Sequence, residues 1–289
     1  MKTKTLYEVV TANIITELQQ GAIPWLKPWK DGGTGRLPAN AVTRRSYSGI
    51  NIILLWYEAA VHSYPTHLWL TYRQAKACGA TVRVGEKGTH IVFTKPLLVM
   101  DSKTEDTKKI QMLRTFCVFN IAQIDGLLTH PEPEKQPDVV RHEASESFIK
   151  ATGADIRTGS DQACYIPALD RVLLPFQGSF IEQEAFYAVA LHELGHWSGA
   201  KHRLARDLSG RFIDTKYAFE ELVAELTSAF LCAHLSLKAE LRHAGYIKHY
   251  LEVLKDDDRA FFRAAAAAQR AADYLRSFSE QTEAADADV

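Results

Sequence analysis

The sequence predicts an α+β protein in two parts: an N-terminal α+β domain with antiparallel hairpins, and a C-terminal domain that is mostly helical. Three observations carry that expectation. Apolar residues recur at helical spacing at the start and over much of residues 181–278, whereas a stretch near residue 90 alternates as a half-buried strand does. Between the two parts, THPEPEKQPDV at residues 129–139 sets three prolines among mixed charges and interrupts both patterns. The expected division is a first domain over residues 1–128, a linker over 129–140, a second domain over 141–279, and a small acidic tail over 280–289 without stable structure. At 289 residues, with 46% hydrophobic and 24% charged side chains, the chain suits two soluble domains with sizeable cores.

The first expected element is a helix over residues 1–20, where Leu6, Val10, Ile14 and Leu18 repeat every four residues. Its pattern is amphipathic rather than that of a secretion signal, and no apolar run approaches the ~18 residues of a membrane span. Cys78, Cys117, Cys164 and Cys232 are far apart and form no CxxC pair. A reducing cytoplasm is the expected compartment, with no membrane partner. The net charge of −1 conceals an asymmetry: residues 1–130 carry 16 Lys+Arg against 9 Asp+Glu, a surplus of +7, and the remainder stands at −8. The two parts therefore have different tasks.

The basic part combines cations with aromatics, as single-stranded DNA binding requires, because cations follow phosphates while aromatic faces stack bases. Residues 23–30 (IPWLKPWK) interleave Trp25 and Trp29 with Lys27 and Lys30. Residues 44–51 (RRSYSGIN) supply Arg44, Arg45, Tyr47 and Asn51. Trp69, Tyr72, Arg73 and Lys76 follow at the entry to a helical segment. Residues 82–93 (VRVGEKGTHIVF) read as a hairpin with Arg83 and Lys87 flanking a GEKG turn. The candidate DNA-binding residues are thus Trp29, Arg44, Arg45, Tyr47, Asn51, Tyr72, Arg73, Lys76, Arg83 and Lys87. Each also has a bland reading, since tryptophans more often anchor cores and basic hairpin tips are commonly solvated. Trp56, in the uniformly apolar run 52–56, is assigned to the core. GEKG lacks the GxxxxGK[ST] spacing of a phosphate-binding loop.

In the second part, residues 163–175 (ACYIPALDRVLLP) read as two short strands around a turn bearing Pro167. Residues 181–191 contain no Gly or Pro and open a helix that has Gly199 as its stop, and within it stands HELGH, residues 192–196. His192 and His196 lie one turn apart on one helical face, where both imidazoles can reach a single zinc ion. Glu193 sits where it can take a proton from a water activated by that ion. This is the zincin metallopeptidase signature, and zincins set a strand beside the cleft that can pair with an extended peptide.

Two residues compete for the third ligand position. HELGHWSGAKH matches the longer spacing HExxHxxGxxH, which would select His202. That spacing belongs with a methionine turn downstream, and Met1, Met100 and Met112 all precede the site. The next strong helix, residues 217–235, offers Glu221 and Glu225 at i and i+4 on an otherwise largely apolar sequence, where carboxylates are expensive to bury without a cation or donors. The missing methionine favours Glu221, with Glu225 orienting a ligand histidine, as metal-bound imidazoles usually require. Glu220 is assigned to the solvated face. Arg259 begins a further helical stretch ending at Phe278, in which the run of alanines at 264–268 suits close packing.

Together these stretches resemble the ArdC-type antirestriction proteins of conjugative plasmids. The matching blocks are RRSYSGIN (44–51), WLTYRQAKACGATVRVGEKGTHIVF (69–93), VFNIAQIDG (118–126), PALDRVLLP (167–175), HELGHWSG (192–199), YAFEELVAEL (217–226) and AQRAADYL (268–275). The resemblance implies a single-stranded DNA-binding domain followed by a zincin-like metallopeptidase domain with a glutamate as third ligand, protecting incoming plasmid DNA during conjugation. It also implies that Arg45, Tyr47, Asn51, Tyr72, Lys76 and Lys87 belong to the DNA surface.

Two functions compete on this basis. One is a DNA-tethered zinc peptidase with a single Zn2+ at His192, His196 and Glu221, acting on a protein or peptide bound to DNA. The other is a single-stranded DNA-coating protein whose zincin domain is structural or docks a partner. A metal centre acting on nucleic acid itself is disfavoured, because nucleases usually favour oxygen-rich magnesium sites. Tyr165, Tyr217 and Arg171 are the open candidates for an oxyanion-stabilising group.

Overall fold

The computed structural model describes residues 5–21, 23–25, 36–100, 107–127, 138–210, 214–237 and 247–287. The chain packs as two units, one formed by residues 38–132 and the other by residues 1–37 together with 133–289. The expected first domain is thereby shortened at its start. Its opening helix, α1 (Leu6–Gln19), begins at a capping box between Thr5 and Glu8, which satisfies backbone N–H groups that a helix start leaves unbonded. Val10, Ile14 and Leu18 are buried as the spacing predicts, but on the C-terminal unit. There Tyr7 meets Phe262 edge to face and the Thr11 hydroxyl donates to the Asp258 carbonyl.

The 38–132 unit is built on a four-stranded sheet of order β1-β2-β5-β4. Its strands are β1 (Ala39–Asn40), β2 (Leu68–Thr71), β4 (Thr89–Met100) and β5 (Thr107–Asn120), with β1 parallel to β2 and the remaining pairs antiparallel. Helix α2 (Ile50–Val61) covers one face, and Leu55, Ala59, Trp69, Ile91 and Val118 form the core beneath it. Trp56 is fully buried, as expected. Helix α3 (Tyr72–Ala77) starts on a Thr71–Gln74 capping box directly at the end of β2.

The hairpin expected over residues 82–93 does not form. Strand β3 (Thr81–Val82) pairs instead with β6 (Ile124–Asp125), while β4 pairs with β5 over its whole length. The longer ladder wins because it satisfies far more backbone groups than a turn at GEKG could. Gly88 serves that ladder, since a Cβ there would fall 2.2 Å from Cys117 Sγ.

The other unit continues with α4 (Asp138–Ala151), so residues 138–140 of the expected linker are helical; residues 129–137 lie outside the described residues. A three-stranded sheet of order β7-β9-β8 follows, from β7 (Asp155–Thr158), β8 (Cys164–Ile166) and β9 (Arg171–Leu174). Strands β8 and β9 form the expected hairpin, and β8 is at the sheet edge. Helices α5 (Gln183–Ser198), α6 (Thr215–His234), α7 (Ile247–Asp256) and α8 (Ala260–Ala287) complete the unit. Trp25, from the interleaved segment 23–30, is fully buried here against Tyr250 and Phe261 and so anchors a core.

Helix α6 is the centre of this unit, buried without interruption from Glu220 to Ala233. It crosses α5 at Gly195, where a Cβ would stand 3.2 Å from Ala224 Cα. Alanines at 264, 265, 268 and 271 bury the facing side of α8. That helix runs on through Ala287, into residues where composition led us to expect no stable structure; alanine and glutamate are strong helix formers. Among the described residues no helix is long and apolar enough to cross a membrane.

Candidate metal centre and nucleic-acid residues

The α5–α6 contact brings two histidines of one helix against a carboxylate of the next. His192 Nε2 lies 3.2 Å from His196 Nε2 and 3.5 Å from Glu221 Oε2, and His196 Nε2 lies 3.3 Å from Glu221 Oε1. In a tetrahedral site with ligand bonds of about 2.0–2.1 Å, donor atoms stand about 3.3 Å apart. The two Nε2 atoms have that separation, Glu221 turns one carboxylate oxygen to each ring, and one ligand atom from each of the three residues lies within 4.8 Å of the others; two imidazoles with a carboxylate are a donor set suited to zinc and similar divalent ions. Among the described residues this is the group of metal-ligating side chains that converges in this way. His202 lies outside it, with a side chain 64% exposed and 3.4 Å from Asp170.

Glu220 is not on a solvated face. It is buried, and its Oε1 is 3.2 Å from His196 Nδ1, the ring nitrogen turned away from the cluster. Arg206 holds the carboxylate from the other side, Nε donating to Oε2 at 2.9 Å and an Nη to Oε1 at 2.8 Å. The same guanidinium donates to the Gly195 carbonyl and to Ser198 Oγ, capping the C-terminal end of α5, where a cation is favoured. Gly199 makes this possible, because a Cβ there would meet the Arg206 guanidinium at 2.8 Å. The glycine that completes the HExxHxxGxxH spacing thus has a packing cause unrelated to His202. Glu225, one turn beyond Glu221, is buried on the same helix.

Charge in the cluster is mutually held. Burial would lower the His196 imidazole, but its hydrogen bonds to the Glu220 and Glu221 carboxylates override this and raise the pKa to about 10. Burial would raise Glu221, and its two histidine partners instead pull it well below the usual carboxylate range. Glu220 is likewise held low, by His196 and Arg206 against the effect of burial.

A cavity of about 600 Å³ opens onto this cluster. Glu193, buried, lines it beside His192, His196 and Glu221, and the opposite wall comes from Cys164 and Tyr165 on edge strand β8. The hairpin is clamped to the end of α5 through Asp170, whose carboxylate takes two bonds from Arg203, at 2.9 and 2.6 Å, and one from the Tyr165 hydroxyl at 2.9 Å. Arg203 in turn stacks 3.5 Å over the Trp197 ring. Of the three oxyanion candidates, Tyr165 and Tyr217 line the cavity, whereas Arg171 is engaged with Asp155 at 2.7 Å.

Arg45, Tyr47 and Asn51 line a common groove in the 38–132 unit, but Asn51 is buried and bonds the Val92 backbone in both directions. Arg44 is exposed in a turn with φ +59, and Tyr72, Arg73 and Lys76 are exposed on α3. Lys87 is exposed near the GEKG segment, whereas Arg83 is tied to Glu86 and Asp125. Trp29 lies outside the described residues.

Comparison with known proteins covers nearly the whole chain. The profile described as the N-terminal domain of anti-restriction factor ArdC matches residues 4–119, and that of a zincin-like metallopeptidase matches residues 143–267. Protein y4eC of Sinorhizobium fredii is 43% identical over 282 residues, spanning 94% of this chain and 92% of that protein. Two Escherichia coli proteins named DNA primase TraC are 38% identical over 96% of this chain, which spans only 20% and 28% of their lengths. The crystal structure of antirestriction protein ArdC from plasmid R388, metal-free, has a TM-score of 0.82 at 39% identity over 96% of this chain and 99% of that one. The Mn(II)-bound form scores 0.78 at 39% identity over 95% and 98%. A zincin-like domain here and a bound divalent ion in a relative of this similarity identify a divalent-metal domain.

Proposed function

This chain belongs to the ArdC antirestriction family, and from that membership we propose that it binds single-stranded DNA through its 38–132 unit and holds one zinc ion for peptidase-type chemistry, protecting plasmid DNA during conjugation. The observation that carries the metal part of this reading is the convergence of one ligand atom each from His192, His196 and Glu221, all within 4.8 Å of one another, in a cavity that Glu193 shares. A zinc ion held there supplies Lewis acidity, which makes a water nucleophilic near neutral pH and polarises a carbonyl. Glu193 accepts the proton of the attacking water and delivers it to the departing amine. Glu220 holds the ring of His196 on its outer nitrogen, so that Nε2 faces inward. Edge strand β8, which contributes Cys164 and Tyr165 to the cavity lining, suits an extended peptide added as a further strand.

The substrate is a protein on or near single-stranded DNA. The test is incubation of zinc-loaded protein with DNA-bound proteins, alone and as the Glu193→Gln variant. Cleavage by the first and not by the second is expected, and the absence of any cleavage with zinc demonstrably bound removes the peptidase.

A further inference from the structure

We infer that the groove of the 38–132 unit is a nucleobase-stacking site for single-stranded DNA, built on Phe93 and Phe116, with Arg45 and Arg114 taking the adjacent phosphates and the groove's side-chain amides already committed within the protein. This rests on the single-stranded DNA reading above and assigns its contact residues.

The β4–β5 register explains how such a surface arises. Ile91 is opposite Phe116 and Phe93 is opposite Arg114, so these four side chains and Val118 share one face of the ladder. Ile91 and Val118 belong to the core under α2, but the face continues past that helix, leaving Phe93 and Phe116 47% and 46% exposed. Their rings meet edge to face with centroids 5.3 Å apart, which holds each flat face in a fixed direction. They open on a groove of about 1000 Å³, ample for bases splayed from one strand. Its charged lining residues are Arg45 and Arg114, without a carboxylate, and neither guanidinium has an ion-pair partner among the described residues.

The side-chain amides in the groove are already committed. Asn51 gives its amide to the Val92 carbonyl at 2.8 Å and accepts the Val92 N–H at 2.7 Å. Asn40 Oδ1 accepts the N–H groups of Val42 and Thr43. Gln74 Oε1 accepts from the Thr71 N–H, the Thr71 hydroxyl and Asn40 Nδ2, each at 3.0 Å. What remains for a ligand is aromatic faces, two guanidiniums and the short hydroxyls of Thr43, Ser46 and Ser48 at the surface. Stacking tolerates any base, so binding depends only weakly on sequence.

Polarisation titrations of the full chain with labelled single-stranded oligonucleotides test this. Phe93→Leu combined with Phe116→Leu keeps apolar contacts but removes both aromatic faces, and is expected to weaken binding about tenfold or more without changing the salt dependence. Arg45→Gln and Arg114→Gln are each expected to reduce the slope of log affinity against log salt by about 0.7. Permuting the oligonucleotide sequence is expected to change affinity only a few-fold. If the wild type binds single strands and the double leucine variant binds equally well, or permutation changes affinity a hundredfold, the groove assignment is overturned while DNA binding stands. If the wild type binds no single-stranded DNA, the broader reading fails and this one with it.

Discussion

His196 Nδ1 stands 3.2 Å from Glu220 Oε1, and through Glu220 the metal-facing ring is tied to Arg206, ten residues further along the chain. A ring held on its outer nitrogen presents Nε2 inward in one orientation. Glu220→Gln weakens the contact without emptying the position, and the expected cost is about 10–100-fold in metal affinity. Competition with a chromogenic chelator measures it, and unchanged affinity would remove Glu220 from the site's support.

The two sequence candidates for third ligand separate cleanly. Glu221→Ala takes away a donor 3.3 Å from His196 Nε2, whereas His202→Ala removes an exposed ring beside Asp170. Metal analysis after dialysis is expected to find one ion per chain in the His202 variant and loss of tightly held metal in the Glu221 variant. The reverse pattern would restore His202.

Gly195 sets the distance between the two metal-bearing helices. Gly195→Val forces a branched side chain against Ala224 and Thr227, and overpacking of this kind costs about 1–3 kcal/mol. Urea unfolding is expected to show that loss, together with weaker metal binding because Glu221 moves away from the histidines. Full stability with full metal affinity would mean the α5–α6 contact is looser than described.

Asp170 links the β8–β9 turn to buried Arg203, whose guanidinium holds the carboxyl below its usual range. Its φ of +50 is one asparagine tolerates, so Asp170→Asn tests charge rather than backbone. A folded-state pKa below the unfolded one stabilises the protein above the unfolded value and ceases to do so as pH falls through the folded value. The stability gap between wild type and Asp170→Asn is therefore expected to be full at neutral pH and to close below the ordinary aspartate pKa of about 3.9. A gap independent of pH would show that the charge is not what matters.

The sequence made some of this legible and hid the rest for physical reasons. HELGH and the Glu221–Glu225 pair declare themselves because the helical period alone puts their donors on defined faces. Glu220 does not, because its burial comes from helices packed all around α6, which no local pattern records. Arg206 was equally hidden, although Gly199 was its trace. The stripe of α1 was visible, but its partner is near the far end of the chain. GEKG mimicked a hairpin because the competing strand, β5, begins some twenty residues later. Phe93 and Phe116 escaped notice since an alternating strand does not say where its covering helix ends.

The most direct measurement compares plasmid protection in a restricting recipient for wild type and Glu193→Gln. Glu193 lines the cavity without being one of the three converging donors, so the variant is expected to keep its metal and its affinity for single-stranded DNA. If the metal centre acts chemically, protection falls to the level of a strain without the protein. Full protection by a metal-loaded Glu193→Gln protein would contradict the account and leave a shield in place of an enzyme.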